Sequence, residues 1–547
     1  MNDNIHLSNQ RFLFYQRYLF IVLLITFNNT SCGCKNPSDK SVKPAKIKAT
    51  KYSSEDTNQN LQNDKDKEAF EQCQKEAERG DILAQYNLAR MWEEGRGVDK
   101  NYKKAAEWYQ KAAEQGYVKA QFNLGLVYQK GLGVSQNHQE AFKWYQKAAE
   151  QGQEKAQTNL GWMYQNGLGV SQNHQEAFKW YQKAAEQEDV KAQYQLGLIH
   201  LQGGHGTPNE KDKYKNGQEA FKWLKKAADQ GYANAQKLVG WMYEAGYEVS
   251  QNKQEASGWY QRAFESYHKE AEQGGMVAQY NLAQMLEEGS GVDKDYKKAA
   301  EWYQKAAEQG YVKAQDAFGW LYEKGLGVIK DYKKAAEWYQ KAAEQGYAGA
   351  QYSLGCMFHY GNGVTRNDEK ATKWLQKAAN QGNAKAQFYL AWMYDTDGIR
   401  DVTITKDDQE AFKWYQKVVN QTDDILAKYQ LGRIYEDGRG GVSKDYTEAI
   451  KWYKKAAADP DDVLGKYRLG RMYEKGRGVA QDYDEAIKWY EIAAKLWSYD
   501  AKYRLGRMYE KGRGVPQDYV KAREWYQAAD PLSKAVDRQR WLDANRL

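Results

Sequence analysis

The sequence predicts an all-α fold, a solenoid of about twelve antiparallel helix pairs, and three observations support this prediction. The stretch YKKAAEWYQKAAEQGYVKAQ at positions 102–121 returns unchanged at 296–315. One tryptophan recurs about every 36 residues. Apolar residues follow a helical spacing throughout these copies. Because a catalytic centre is normally assembled once from converging groups, verbatim copies indicate a repeated structural unit.

The composition is typical of helical repeats. The chain has 547 residues, with 47 Gly, only 6 Pro and 14% aromatic residues. One compact core does not extend over this length, and the aromatic content argues against a disordered chain. The 80 basic and 73 acidic side chains leave a net charge of only +7. This small excess gives no support for nucleic-acid or membrane binding by the chain as a whole.

Residues 1–34 predict a signal peptide with a lipidation site. Arg11 and Arg17 precede an apolar run at 19–27, which is too short for a bilayer because a spanning helix needs roughly 20 residues. The following NNTSCGC resembles the lipobox of bacterial lipoproteins, with Cys32 as the lipidated residue and Asn29 where that motif prefers Leu. We expect an exported protein, either a membrane-anchored lipoprotein or, if cleavage nearby adds no lipid, a soluble periplasmic or secreted one.

The remaining boundaries follow from changes in composition. Residues 35–64 are polar and lack an apolar period, which predicts a flexible linker before the repeats at 65–530. The apolar side chains of 531–547 predict a C-terminal capping helix over the end of the array. Cys73 and Cys356 lie far apart without a pairing pattern, so we predict buried thiols and no disulfide.

The recurring tryptophan measures the repeat and gives twelve copies with a basic period of 36 residues. We expect these tryptophans to be mostly buried, since they lie on the apolar stripe of a helix. Two intervals are 43 residues long. The first has its extra residues in the polar loop 203–217, and the second, around 263–275, predicts a helix longer by about two turns. The twelve tryptophans are Trp108, Trp144, Trp180, Trp223, Trp259, Trp302, Trp338, Trp374, Trp414, Trp452, Trp489 and Trp525.

Each repeat is predicted to hold two amphipathic helices separated by GLGV or GRGV. The first Gly of that motif ends a helix in the left-handed conformation without steric cost. Aspartates such as Asp331 and Asp482 then stand in position to cap the second helix. Another glycine recurs inside the first helix, where it costs about 1 kcal/mol relative to alanine. We expect a closely approaching helix or a tryptophan ring to use the space that it leaves.

The pattern LGxMYxxGxGVxxDYxxAxxWYxKAAxxG resembles the Sel1-like repeat, a relative of the tetratricopeptide repeat. Residues 469–494 and 505–529 match it best, and the resemblance covers about 65–530. It implies a right-handed α-solenoid that acts as a non-catalytic scaffold or adaptor for protein partners, in bacterial proteins that are often exported and of which some influence host cells. One branch with a disulfide in each repeat resembles β-lactam-binding proteins, but this chain lacks those cysteines.

No motif in the sequence predicts catalysis. The seven histidines form neither HExxH nor a Cys/His cluster with metal spacing. No GxSxG occurs, and GRGV is too short for a phosphate loop. We therefore predict no catalytic residue, no metal, no cofactor, no small-molecule substrate and no nucleic-acid partner. The alternative is an enzyme, or an enzyme-like protein of this repeat class that binds cell-wall components or β-lactams.

Positions that vary among the repeats predict a partner-binding surface. We call the residue after the mid-helix Gly or Ala the ladder position, because stacking should set equivalent side chains of successive repeats side by side. These positions lie on the first helices, which line the concave surface in related solenoids. Central repeats carry Trp at the ladder position and the last three carry Arg, with two further arginines one helical turn earlier. The predicted partner-binding residues are Trp162, Trp241, Trp320, Trp392, Arg433, Arg468, Arg471, Arg504 and Arg507.

The arginines predict an acidic protein or peptide partner. Residues 427–525 hold 21 Lys and Arg against 16 Asp and Glu, which accounts for most of the net positive charge. Arginine suits paired contacts with carboxylates, and exposed tryptophan is a frequent interface anchor. The alternative is structural: the tryptophans fill gaps between repeats, and the arginines pair with Glu474 and Glu510 of the same chain.

Overall fold

The computed structural model describes residues 54–202, 216–395 and 406–529. The predicted signal peptide with Cys32, the polar loop at 203–215 and the predicted capping helix 531–547 lie outside this part of the chain. Every regular element in the described ranges is an α-helix, and they contain no strand. This confirms the predicted all-α class.

The described ranges form 25 helices, which we number in chain order. They are α1 Ser54–Glu78, α2 Ile82–Glu94, α3 Tyr102–Glu114, α4 Val118–Lys130, α5 His138–Glu150, α6 Glu154–Asn166, α7 His174–Glu186, α8 Val190–Gln202, α9 Gly217–Asp229, α10 Ala233–Ala245, α11 Lys253–Glu272, α12 Met276–Glu288, α13 Tyr296–Glu308, α14 Val312–Lys324, α15 Tyr332–Glu344, α16 Ala348–Tyr360, α17 Asp368–Asn380, α18 Ala384–Tyr394, α19 Asp408–Gln421, α20 Ile425–Asp437, α21 Tyr446–Ala457, α22 Leu464–Lys475, α23 Tyr483–Lys495, α24 Tyr499–Lys511 and α25 Tyr519–Ala528.

The helices fall into two compact blocks. The N-terminal block comprises residues up to 267 with 290–292, and the C-terminal block comprises 268–289 with residues from 293 onward. From α1 to α10 and again from α12 to α25, each helix packs against the next one. Short connections reverse the chain between them, so neighbours run antiparallel. The 20-residue α11 confirms the longer helix predicted for the second 43-residue interval.

The first helix corrects the predicted linker boundary. α1 begins at Ser54, so residues 54–64, which we predicted to be a flexible linker, are helical. The segment contains neither Pro nor Gly to stop a helix. Its C-terminal half is held against α2, since the rings of Phe70 and Trp92 lie 5.1 Å apart and the Cys73 thiol donates a hydrogen bond to the Ala84 carbonyl at 3.3 Å. Packing of that half lets the helix extend into the polar residues before it.

Local capping chemistry sets the ends of the helices as predicted. Gly131 ends α4 at φ 69° and Gly476 ends α22 at φ 61°, both in the left-handed region. The Asp331 side chain accepts hydrogen bonds from two backbone N–H groups at the start of α15, and Asp482 accepts one at the start of α23. Each repeat therefore specifies its own helix boundaries.

The mid-helix glycines let the second helix approach closely, which was one of the two expectations, and in most repeats the side chain that uses the space is a tyrosine ring and not a tryptophan ring. A Cβ atom on Gly125 would lie 2.6 Å from the ring of Tyr145, and one on Gly506 would lie 2.6 Å from the ring of Tyr526. Contacts this short are sterically excluded. The glycine is thus required because a tyrosine of the second helix packs directly on its Cα.

Three of the twelve recurring tryptophans, Trp144, Trp259 and Trp414, are buried as predicted, and the other nine are partly buried. Trp302 and Trp338 are half-buried, whereas the following Tyr303 and Tyr339 are only 1% and 2% exposed. The tryptophan lies at the edge of the apolar stripe and the tyrosine at its centre. The Lys341 ammonium lies 3.6 Å from the Trp338 ring centroid, a cation–π contact that covers part of the outer face.

In most repeats a buried glutamine links the repeat to the helix before it. The Gln315 side chain on α14 donates to the Ala307 carbonyl on α13 at 3.1 Å and accepts from Gln345 at the end of α15 at 2.7 Å. In the last three repeats a lysine takes this position, and Lys466 donates to the Pro460 carbonyl at 2.9 Å. The same pair of bonds is made by Gln85, Gln121, Gln157, Gln193, Gln279 and Gln351.

Candidate functional site

The ladder tryptophans lie on first helices and contact neighbouring repeats. Trp162, Trp320 and Trp392 are half-buried. Trp162 packs against the apolar clusters of two successive repeats. Such a ring fills a gap between repeats and still presents part of its surface, so both of the alternatives considered from the sequence apply to it.

Trp241 differs from the other three. It is 8% exposed, and its ring lies 5.6 Å from that of Tyr247 within the core of its repeat. Little of this ring is available to a partner. Trp241 is therefore a core residue, and we leave it out of the partner-binding surface.

An aromatic cluster with a buried histidine surrounds Trp392. The His359 ring lies 5.9 Å from Trp392 and 5.7 Å from Tyr389. His359 Nδ1 lies 2.8 Å from Asp368 Oδ1, and the two residues are only 6% and 4% exposed. The nearby Tyr360 is 59% exposed. None of these residues was predicted from the sequence, except Trp392.

A pattern in the sequence could have predicted the histidine. In most repeats the buried tyrosine donates a hydrogen bond to a Glu or Gln sixteen residues earlier, as Tyr339 does to Glu323 at 3.0 Å. Leu375 takes the place of that tyrosine in its repeat and has no hydroxyl group. His359 replaces the usual Glu or Gln there and pairs with Asp368 instead.

Two of the five predicted arginines are already paired within the chain. Arg468 Nη1 lies 3.3 Å from Glu436 Oε2, and Arg504 Nη1 lies 3.6 Å from Glu474 Oε2. The structural alternative therefore holds for Arg504, whose partner is the expected Glu474. These two arginines bridge the first helices of successive repeats, and their role in the fold accounts for them without a partner.

The other three arginines are less engaged. Arg433 donates a hydrogen bond to the Gln430 side chain at 3.2 Å. Arg471 and Arg507 are half-buried and contact no carboxylate within ion-pair distance among the described residues. The Arg471 Nε atom is buried and has no hydrogen-bond partner in that part of the chain.

Positive charge is concentrated around Arg471. Burial is the largest cause that lowers the pKa of Lys475, one turn further along α22. The guanidinium groups of Arg471, Arg477 and Arg504 lower this pKa further. Lys475 thus lies in the positive field of three arginines at the junction of the last two repeats, and Glu474 offsets this field only in part.

Other titratable groups in the described ranges lack a catalytic arrangement. Burial raises the pKa of the Cys356 thiol to about 11, so it is protonated and unreactive at neutral pH. Burial also raises the pKa of Asp316 to about 7, and Glu323 adds to the shift. In the residues that the structure describes, no three His, Cys, Asp or Glu side chains are grouped to hold a metal ion. None of the described helices is long and apolar enough to cross a membrane.

A family model for the Sel1 repeat matches twelve consecutive segments. Together they account for most of the chain between residues 82 and 529, and their boundaries agree with the helix pairs described above. The segments are 82–117, 118–153, 154–189, 190–232, 233–268, 277–311, 312–347, 348–383, 384–423, 425–461, 463–496 and 500–529.

Several solved structures resemble the chain. A protective antigen of uropathogenic Escherichia coli strains with an SLR fold is 32% identical, with 86% of this chain and 97% of that chain covered and a TM-score of 0.44. A Sel1 repeat protein from Oxalobacter formigenes is 34% identical, with coverages of 59% and 89% and a TM-score of 0.35. An immunity protein from Pseudomonas aeruginosa is 24% identical, with coverages of 41% and 82% and a TM-score of 0.25. A comparison with curated proteins found no match.

Proposed function

Because this chain belongs to the Sel1 repeat family, we propose that it is a scaffold that binds a protein or peptide through the ladder positions of its first helices. Proteins with these repeats generally mediate protein–protein interaction, and scaffolds of this kind are generally non-catalytic. The observation that supports the ladder is the contrast between positions. The recurring tyrosines, such as Tyr303 and Tyr339, are buried in packing, whereas most of the residues that vary at the ladder, among them Trp320 and Arg471, remain partly exposed.

Each block carries ladder positions of its own. The N-terminal block offers Trp162, and the C-terminal block offers Trp320, Trp392 and the ladder arginines. Half-buried tryptophans are effective anchors because their rings are already held in place and lose little entropy on binding. The arginines add recognition of an acidic partner.

Site-specific photo-crosslinking tests this proposal. A photoreactive residue in place of Trp320 should crosslink a defined protein partner in cells that naturally produce the chain. The same residue in place of Gln340, which is exposed on the second helix α15, should not. Equal crosslinking from both positions, or none from Trp162, Trp320 and Trp392 alike, would contradict binding at the ladder.

We also propose that the protein is exported from a bacterial cytoplasm and tethered to a membrane by a lipid on Cys32, where it serves contacts at the cell envelope or with a host. The support is the sequence of residues 1–34. Labelled fatty acid should be incorporated into the full chain and be lost in Cys32→Ala, while Cys73→Ala retains the label. Unlabelled wild-type protein in the culture medium or periplasm would rule out the tether while keeping export, and wild-type protein confined to the cytoplasm would rule out both.

A further inference from the structure

We propose that the last two repeats carry a binding site for an acidic peptide segment, centred on Arg471 and Arg507. This inference rests on the proposed scaffold function and names the chemistry of one part of its partner. Of the five arginines predicted from the sequence, Arg468 and Arg504 are ion-paired and Arg433 donates to Gln430. Arg471 and Arg507 are the two for which the described residues show no such side-chain bond.

The geometry places the two arginines on either side of an internal ion pair. Glu474 on α22 and Arg504 on α24 lie 3.6 Å apart and join these first helices directly. Arg471 precedes Glu474 by three residues, and Arg507 follows Arg504 by three. Residues at this spacing share one side of a helix. Arg471 and Arg507 therefore flank the bridge on neighbouring helices.

Two nearby acids, Glu474 and Glu436, are already engaged, and Arg471 and Arg507 have no ion pair within the part of the chain that the structure describes. Glu474 also accepts a hydrogen bond from the Tyr490 hydroxyl at 2.6 Å. Glu436 is 7% exposed and lies within 4 Å of both Arg468 and Arg477. Both carboxylates are held in the interior by these bonds. Neither is able to turn toward Arg471 without breaking contacts that join the repeats.

The electrostatics favour an added anion at this place. Arg471 has a buried Nε donor without an acceptor in the described residues, and an unused buried donor is costly. Lys475 adds a cation on the same helix, and its pKa is lowered in part by Arg471. An incoming carboxylate would accept from a guanidinium group and reduce the repulsion between the cations.

The arrangement fits a peptide better than a nucleic acid. In the C-terminal block, the repeats before α20 carry Trp, Cys or Gln at the ladder position and no basic residue there. The positive surface therefore does not continue along these repeats as a groove that could follow a nucleic-acid backbone. Two carboxylates of one extended segment, by contrast, require only two cations on adjacent helices.

Binding of a labelled hexaglutamate peptide to the full chain, followed by fluorescence anisotropy, tests the site. We expect R471Q with R507Q to weaken binding by about tenfold or more, since each change removes a charge-assisted pair. The matched control is R90Q, because Arg90 occupies the same ladder position in the first repeat and is paired with Glu94 at 2.5 Å. Hexaglutamine is the control peptide, and circular dichroism should show unchanged helix content in each variant.

Three results would overturn the site: equal affinity of the double variant and wild type, equal binding of hexaglutamine, or tighter binding of a thymidine oligonucleotide with the same number of charges at about 150 mM salt. Failure here is distinguishable from failure of the scaffold proposal. If the photo-crosslinked partner is still captured by the double variant, the scaffold stands and the acidic site does not. If wild type captures no partner, the scaffold proposal itself fails.

Discussion

Replacing Tyr339 with alanine should destabilise its repeat by about 3 to 5 kcal/mol, the cost typical of deleting a large buried aromatic ring. Tyr339 is 2% exposed and packs directly over Gly319, where an added Cβ atom would lie 3.0 Å from the ring. Its hydroxyl also donates a hydrogen bond to Glu323 at 3.0 Å. The substitution would leave a cavity between α14 and α15 and an acceptor without its donor.

Native-state hydrogen exchange of the full chain is the measurement, because repeat arrays open locally as well as globally. Amides of α14 and α15 should lose protection in Tyr339→Ala. The adjacent Trp338→Ala is the matched control. Since Trp338 is only half-buried, we expect it to lose roughly half as much stability or less. An equal or larger loss for Trp338→Ala would show that the tryptophan is the principal packing residue after all.

Asp316 should make the stability of its repeat fall as the pH rises. The carboxyl lies near Tyr280, Tyr339, Tyr347 and Glu323, and its Oδ1 atom is buried without a hydrogen-bond partner among the described residues. Burial raises its pKa from 3.8 to about 7. The folded state therefore retains a proton that the unfolded state releases between these two values. The stability that this protonated carboxyl contributes is fully present below about pH 4 and is lost as the pH rises through about 7.

Asp316→Asn should remove this dependence, because a neutral amide has no charge to bury. We expect protection of α14 amides at pH 8 to increase in the variant, whereas near pH 4 wild type and variant should agree closely. Glu337→Gln, an exposed change on α15, should leave the dependence intact. If wild type is equally stable at pH 5 and pH 8, the Asp316 carboxyl is not held in an unfavourable charged state.

Local features of the fold were predictable from the sequence because each repeat contains them. The left-handed Gly131 and the capping Asp331 act within a few residues of their own position. The relative depth of Trp338 and Tyr339 was not predictable in this way. Both lie on the same stripe, and only the approach of Gly319 from the first helix shows which of them faces the centre.

The position of the candidate site was predictable from the sequence, but the ion pairs that its arginines form were predictable only in part. The arginines lie on the first helices, at equivalent positions of successive repeats, as the sequence indicated. Arg468 pairs with Glu436, which lies 32 residues earlier on the preceding first helix. That contact depends on the register between successive repeats, which spacing within one repeat does not determine. The same limit applies to Trp241, whose burial depends on Tyr247 in the loop after α10.

Oxidative footprinting of tryptophans in the purified complex with the photo-crosslinked partner tests whether the recurring positions build the array and the varying ladder positions bind the partner. Trp320 and Trp338 are both half-buried in the free protein, so each serves as a control for the other. We expect the partner to protect Trp320 and Trp392 from oxidation and to leave Trp302 and Trp338 as reactive as before. Protection of Trp302 and Trp338 with no change at Trp320 and Trp392 would contradict it.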